Sequence, residues 1–398
     1  MAEDTGERTG ASSRRKFILA GGAVGVAGLA GCTGGDAEEG DGGDGGAGAG
    51  LGSSDDGGES DDPLLSDDFD PENPDWENNN YYGGALVEAG YLRGTLDDLE
   101  EMGNRGRTEA VHGIDPRERP DDESEWIDPD PLVYAELPRE DTESAYEEQL
   151  APMIEKLEAE TGKDVEFRSV DSYAAVVESM RSERVHIANF ATGNTPFGVN
   201  LAGMVPLAAG VDGGQFGYKL WAVTRADHEI TSVEDFADEH GYRIAHTEES
   251  SNSGNQAPSA LFDEYFDLTI GENYNPEFSG GHEQTGRGIA YGDFDAGPIC
   301  NTCLDNTVEA VDDIEWDDYK VLWSSDPFPP GPVGYRYNLH PDIVEGARET
   351  WINTNWEGTS FGDEAGYPED VEIDYVNHWH EIMLIQQFNG VEYEQGGL

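Results

Sequence analysis

The chain has 398 residues, long enough for more than one folded unit around a real core. Its 85 acidic residues against 22 basic ones give a formal net charge of −63, which excludes a nucleic-acid-binding surface and attraction to anionic lipid headgroups. Its 8 Trp, 17 Tyr and 14 Phe exclude wholesale disorder. The charge is therefore read as adaptation to very high salt, where a Debye length of about 3 Å screens the self-repulsion.

The first signals in chain order form an address. Arg14-Arg15 before the apolar stretch 17–30 reads as a twin-arginine export signal. That stretch is shorter than the roughly 20 residues of a bilayer span. Leu29-Ala30-Gly31-Cys32 is similar to a lipobox, which makes Cys32 the lipidated residue and 1–32 the signal. An uncleaved membrane anchor with an incidental cysteine is the other reading. Residues 33–62, rich in Gly, Asp, Glu and Ser, form an acidic tether with nothing to bury. The segment 63–130 is an N-terminal extension of unknown role, with one helix expected near 84–102.

Regular α/β alternation begins near Pro131. Leu132-Val133-Tyr134-Ala135 reads as a strand, and the spacing of Leu150, Met153, Ile154 and Leu157 predicts a helix over 143–161 closed by Gly162. A strand is expected at 165–170, a helix at 173–181, and further strands at 186–190 and 218–223. Ser232 caps a helix with Asp235 as its third residue. Then follow a strand at 242–245, a helix at 258–266, strands at 294–296 and 319–323, and helices at 341–354 and 372–388. Alternation of this kind predicts parallel sheets with covered faces.

One turn has its own chemistry. Ser250-Ser251-Asn252-Ser253-Gly254 lies between a strand and a helix, where free backbone N–H groups, the positive end of the helix dipole and Ser hydroxyls make an anion cradle without Lys or Arg. An ordinary Ser/Asn-capped turn has the same residues.

From about Pro131 to Phe388 the chain resembles the phosphate/phosphite/phosphonate substrate-binding proteins of ABC transporters, in a haloarchaeal lipoprotein form. The blocks that carry the resemblance are 150–165, 171–181, 185–190, 249–258, 280–290, 292–297 and 323–332, in that order. It implies an α/β, two-lobe periplasmic-binding-protein-like fold of type II. Each lobe is then a mainly parallel sheet flanked by helices, with the ligand cleft between the lobes. Lobe 1 would comprise 131–224 plus 328–398, and lobe 2 would be 225–327.

The implied ligand set is Ser251, Asn252 and Ser253 from the turn, and His282 as a donor or a charged partner if protonated. From the other lobe come the Tyr173 phenol, Phe190 as a wall, and Thr192 and Asn194 as further donors. Family members that take aminoalkyl phosphonates hold the ligand amine with acidic groups. Here Thr302 (or Cys303) and Gly331 stand at those places, so an inorganic oxyanion or a neutral-tailed alkylphosphonate fits better.

Cys300 and Cys303 form a C-x-x-C, which reads as a disulfide, a free thiol pair, or a catalytic or metal pair. A four-cysteine zinc site is excluded for want of a second such pair. The implied function is capture of a small oxyanion for an importer's permease and ATPase, as a monomer held at the outer face of the membrane by lipid, without cofactor or metal. The alternatives are an enzyme of cofactor-precursor type using Cys300, Cys303 and His282, and a ligand-sensing surface protein.

Overall fold

The structure, a computed structural model, describes residues 62, 64–136, 143–170, 172–363 and 368–394. The twin-arginine pair, Cys32 and the tether before Asp62 lie outside the described residues.

Two sheets organise the chain. In the larger, Leu132–Glu136 sits between Val165–Ser169 and Ile187–Asn189, parallel to both. All five of its residues are buried, as a central strand covered on both faces requires. One cover is the helix Glu143–Thr161, whose Leu150, Met153 and Leu157 are buried beside Leu132, Tyr134 and Ile187. Gly162 follows it at φ 66°, a left-handed backbone that costs glycine nothing. The other cover is Tyr173–Arg181, which packs Val176, Val177 and Met180 against Val133 and Ala188.

Beyond Ile187–Asn189 the pairing turns antiparallel, through Pro332–Arg336 to Met204–Asp212, which also pairs Gln215–Phe216 and Glu369–Glu372. The smaller sheet runs Leu65–Ser66, Asn80–Tyr82, Tyr319–Ser324, Leu220–Arg225, Ala296–Cys300 in space, and only its first pair is parallel. The expectation of mainly parallel sheets is thus corrected to mixed ones. The cause is the crossover: the chain enters the second lobe along Leu220–Arg225 and leaves along Tyr319–Ser324, so these neighbours run in opposite directions. At the crossing, Tyr218 and Phe328 exchange backbone hydrogen bonds of 3.3 and 2.8 Å. Gly217 precedes them at φ 62°, and a Cβ there would lie 1.9 Å from the Phe328 carbonyl oxygen, so the hinge admits only glycine.

The extension differs from the single helix expected. It holds two helices, Gly83–Glu88 and Leu96–Gly103, separated by Gly90 at φ 72° and the strand Gly94–Thr95. It joins both lobes: Asn80–Tyr82 pairs with Tyr319–Ser324, and Gly94–Thr95 pairs with Gln215–Phe216. Between these points it crosses the hinge. The Lys219 ammonium stands 3.1 Å from the Tyr91 ring centroid, and Asn301 Nδ2 donates to the Leu92 carbonyl at 2.6 Å. Burial pushes the Lys219 ammonium down to about 8. The buried Lys320 ammonium donates to Asp62 and to the His228 carbonyl.

Residues 372–388 form Tyr375–His378 and His380–Phe388 rather than one helix. The last helix packs Ile382, Met383 and Ile385 into a core with Phe236, Phe262 and Tyr274. The same core takes in Val199, Ala209, Leu220 and Phe328, so it spans the boundary expected between the lobes. Among the described residues no helix is long and apolar enough to cross a membrane.

Candidate functional site

After the short strand Ala245–His246, Ser251 caps a wide turn, Asn252–Gln256, that runs into the helix Ala257–Phe266. The turn is pressed onto the strand end: a Cβ on Gly254 would lie 1.9 Å from Thr247 Oγ1. Ser251, Asn252 and Ser253 are buried. The first N–H groups of such a helix have no acceptor within it, and they sit at the positive end of its dipole.

Ser251 is a hub. Its Oγ accepts from Gly254 N at 3.2 Å and lies 3.2 Å from His282 Nε2. On the far side of the ring, Cys300 N donates to His282 Nδ1 at 3.3 Å. An imidazole that accepts at Nδ1 carries its proton on Nε2, so the ring donates to Ser251. Both lone pairs of Ser251 Oγ are then used, and its own O–H proton remains for a third party. Burial pushes the His282 imidazolium down to about 4. The charged-partner alternative for His282 is therefore corrected: the ring is neutral at ordinary pH and acts on Ser251 as a donor.

The first lobe meets this turn directly. A Cβ on Gly193 would stand 3.4 Å from Asn252 Cβ and 3.6 Å from the Ser250 carbonyl oxygen. The loop around Gly193 is pinned by Trp379 Nε1 donating to the Thr192 carbonyl (3.0 Å) and Gln386 Nε2 to the Gly193 carbonyl (2.7 Å). Thr192 and Asn194 lie here, but not as free donors. Thr192 Oγ1 gives its proton to the Pro329 carbonyl at 2.7 Å, and Asn194 Nδ2 donates to the Tyr173 carbonyl at 3.2 Å. Both are thereby braces of the loop and of the Tyr173 helix start. The Tyr173 phenol is half-buried, and its proton is held more tightly by burial and by the Glu248 carboxylate of the second-lobe turn.

Phe190 is corrected more strongly. Its ring is fully buried in the core with Val133, Ala188 and Met204, packed against Gly198, and walls no cleft. Gly331 lies over its backbone, where a Cβ would be 2.0 Å from the Phe190 carbonyl oxygen. No acidic side chain could stand at that position.

The residue that sequence reasoning missed is Tyr218, at the hinge. Its hydroxyl accepts from Asn252 Nδ2 at 3.1 Å, hydrogen-bonds Thr192, and is pushed up to about 12 by burial. One crossing-strand residue thus touches both lobes. Its signal was a tyrosine directly after Gly217 at the head of an apolar strand. Four buried oxygens in and around the turn, Asn252 Oδ1, Gln256 Oε1, Asn194 Oδ1 and Thr247 Oγ1, have no partner among the described residues. Behind His282, Cys300 and Cys303 form a disulfide in the first turn of Asn301–Ala310, with Thr302 Oγ1 3.3 Å from Cys300 Sγ. Among the described residues no group of three His, Cys, Asp or Glu could hold a metal ion. The Ser251 hydroxyl and the free N–H groups of the helix start are neutral hydrogen-bond donors, an arrangement that receives an anion.

The comparisons with known proteins address the fold and the family. In fold the chain is similar to the binding-protein component of an ABC phosphonate transporter from Pseudomonas aeruginosa (TM-score 0.55, 17% identical, 68% of this chain and 90% of that one). It is likewise similar to PhnD1 from Prochlorococcus marinus in complex with methylphosphonate (TM-score 0.54, 15% identical, 66% of this chain and 99% of that one). In sequence it is 32% identical over 234 residues to the phosphate-import protein PhnD of Mycolicibacterium smegmatis, covering 54% of this chain and 70% of that protein. The family model for the periplasmic substrate-binding proteins of ABC phosphonate transporters matches residues 134–375, and the chain belongs to that family.

Proposed function

We propose that the chain captures phosphate, phosphite or a neutral-tailed alkylphosphonate and delivers it to an ABC importer, without catalysing a reaction. The observation that carries the ligand class is the Ser251 hub: its oxygen is saturated by Gly254 N and His282 Nε2, so its hydroxyl can only donate. Asn252 and Ser253 add helix-start N–H groups beside it, Tyr173 supplies a phenol from the first lobe, and Tyr218 at the hinge braces Asn252. Selection works by short directional donors, since a protein with a net charge of −63 repels anions at long range. An amine-bearing ligand is disfavoured because Thr302 and Gly331 offer it no carboxylate.

The address in the sequence extends the reading: export by the twin-arginine route, lipidation at Cys32, and a monomeric head working in molar salt at the outer face of the membrane. Retention of a Cys32→Ser variant in the membrane would remove the lipid from this account. The deciding experiment is a thermal-shift panel in molar KCl with phosphate, phosphite, methylphosphonate, aminoethylphosphonate, sulfate and thiosulfate. A ligand at 100 times its Kd stabilises by about 2.7 kcal/mol. A shift with sulfate or aminoethylphosphonate alone overturns the assignment.

A further inference from the structure

The disulfide and the anion turn are joined by an unbroken chain of contacts. Cys300 ends the strand Ala296–Cys300 and caps the helix Asn301–Ala310; Cys303 is the third residue of that helix, and its N–H donates to Cys300 Sγ at 3.2 Å. The backbone N–H of the same Cys300 reaches His282 Nδ1 at 3.3 Å, and His282 Nε2 reaches Ser251 Oγ at 3.2 Å. His282 is the first residue of its own helix, His282–Ala290. The cap residue of one helix therefore sets the proton position on the first residue of a second, and that ring loads the cap residue of a third.

We infer that the Cys300–Cys303 disulfide is a positioning element for the anion site, acting through His282, and that its reduction weakens anion binding. The inference rests on the Ser251 turn being the anion site. Bonded sulfurs stand about 2.05 Å apart, whereas unbonded ones separate to van der Waals contact, roughly 1.5 Å or more further. Cys300 is 5% exposed and has Thr302 Oγ1 3.3 Å from its sulfur, so it has little room to take up that movement by side-chain rotation. A displaced Cys300 N–H frees Nδ1. Nothing then selects the Nε2–H tautomer, and in the other tautomer Nε2 is an acceptor. Ser251 must then turn its hydroxyl proton toward the ring and away from the ligand. The chemistry is thiol–disulfide exchange with a low-molecular-weight dithiol. A reagent thiolate attacks one cysteine sulfur, and the other leaves as a thiolate that takes up a proton. The second reagent thiol then closes the reagent's own disulfide and releases the first cysteine, passing two electrons to the protein.

The test uses the protein in molar KCl with phosphate and methylphosphonate as probes, oxidised and after dithiothreitol. Affinity is measured by calorimetry and the His282 tautomer by 15N NMR, assigned against His282→Gln. The oxidised protein should show a single Nε2–H tautomer. Reduction should deplete the Nε2–H tautomer, and a fall to about 10–20% of the ring raises Kd about fivefold to tenfold. Cys303→Ser, which keeps Cys300, should reproduce the reduced state without reductant. An unchanged tautomer overturns the inference whatever the affinity does, and so does a Kd within twofold. If neither form binds either probe while the tautomer still responds to reduction, the relay stands and the anion-site assignment falls.

Discussion

Ser251 and Ser253 are both buried at the same turn, but their bonding differs, and that difference is testable. Ser251 Oγ holds Gly254 N and His282 Nε2, whereas the Ser253 hydroxyl has no bond among the described residues. Ser251→Ala removes three things: a helix cap, the acceptor of the His282 proton, and a ligand donor. The cap is worth about 1 kcal/mol and the stranded imidazole N–H about 1–3 kcal/mol more, so the unliganded variant should be less stable by about 2–4 kcal/mol. Ser253→Ala removes only the ligand donor, and its stability should stay within about 0.5 kcal/mol of the wild type. A hydrogen bond to a charged oxygen contributes about 1.5–3 kcal/mol, so each variant should bind its anion about tenfold to a hundredfold more weakly. The assays are urea denaturation without ligand and calorimetric titration with the best anion of the thermal-shift panel, both in molar KCl. Equal stability losses in the two variants would sink the hub geometry. Unchanged affinity in both would place the site elsewhere.

Acid should weaken the fold through its buried histidines. His246 is fully buried between Asn255 and Tyr274 and is pushed by burial down to about 4, from about 6.5 when unfolded. Between those values the unfolded chain binds the extra proton, so stability is full above about pH 6.5 and is lost as pH falls toward 4, by up to about 3 kcal/mol. The buried Asp370, pushed up to about 8, acts in the opposite sense. The term is therefore read as the difference between the wild type and His246→Gln, and parallel pH profiles would refute it. The net charge of −63 predicts loss of far-UV circular dichroism on dialysis to low salt, with recovery by KCl beyond what a neutral osmolyte gives; a native spectrum in dilute buffer contradicts it. Asp62→Ala leaves the buried Lys320 ammonium with the His228 carbonyl alone and should cost about 3–5 kcal/mol, part of which Lys320→Met restores. An unchanged melting temperature for Asp62→Ala would show that this pair is not a clasp.

Elements whose burial follows their own periodicity were legible. Leu150, Met153 and Leu157 marked their helix, and Ser232 with Asp235 marked a capping box that forms as read, although it opens only the short turn Val233–Phe236. The strand Met204–Asp212 escaped because Pro206, Gly210 and a run of small residues show no alternation; its pairing with three other strands makes it a strand. The extension escaped for a related reason, since strands of two or three residues carry no period. At the site, the Ser251–Ser253 turn was legible because capping chemistry is local. The roles of Thr192, Asn194 and Phe190 were not, because each depends on a partner distant in sequence: Pro329, Tyr173 and Met204. Tyr218 showed only a tyrosine after Gly217 at the head of an apolar strand, and its role was hidden because its partner Asn252 is distant in sequence.

The order of strands in the smaller sheet bears on how the protein is made. Its edge is built from Leu65–Ser66 and Asn80–Tyr82, yet the strand they dock on is Tyr319–Ser324. A ribosome delivers the first pair some 240 residues before their partner. Until then Tyr81, and with it the ring cluster of Phe69, Trp76 and Tyr91, has no sheet to rest on. Closing so long a loop is slow, and an open sheet edge beside bare aromatic rings invites association with other chains. The surrounding acidic stretches repel neighbouring chains during that wait. The head can therefore be finished only after synthesis is nearly complete, so a secretion route that accepts finished proteins would receive this one with its sheet already closed.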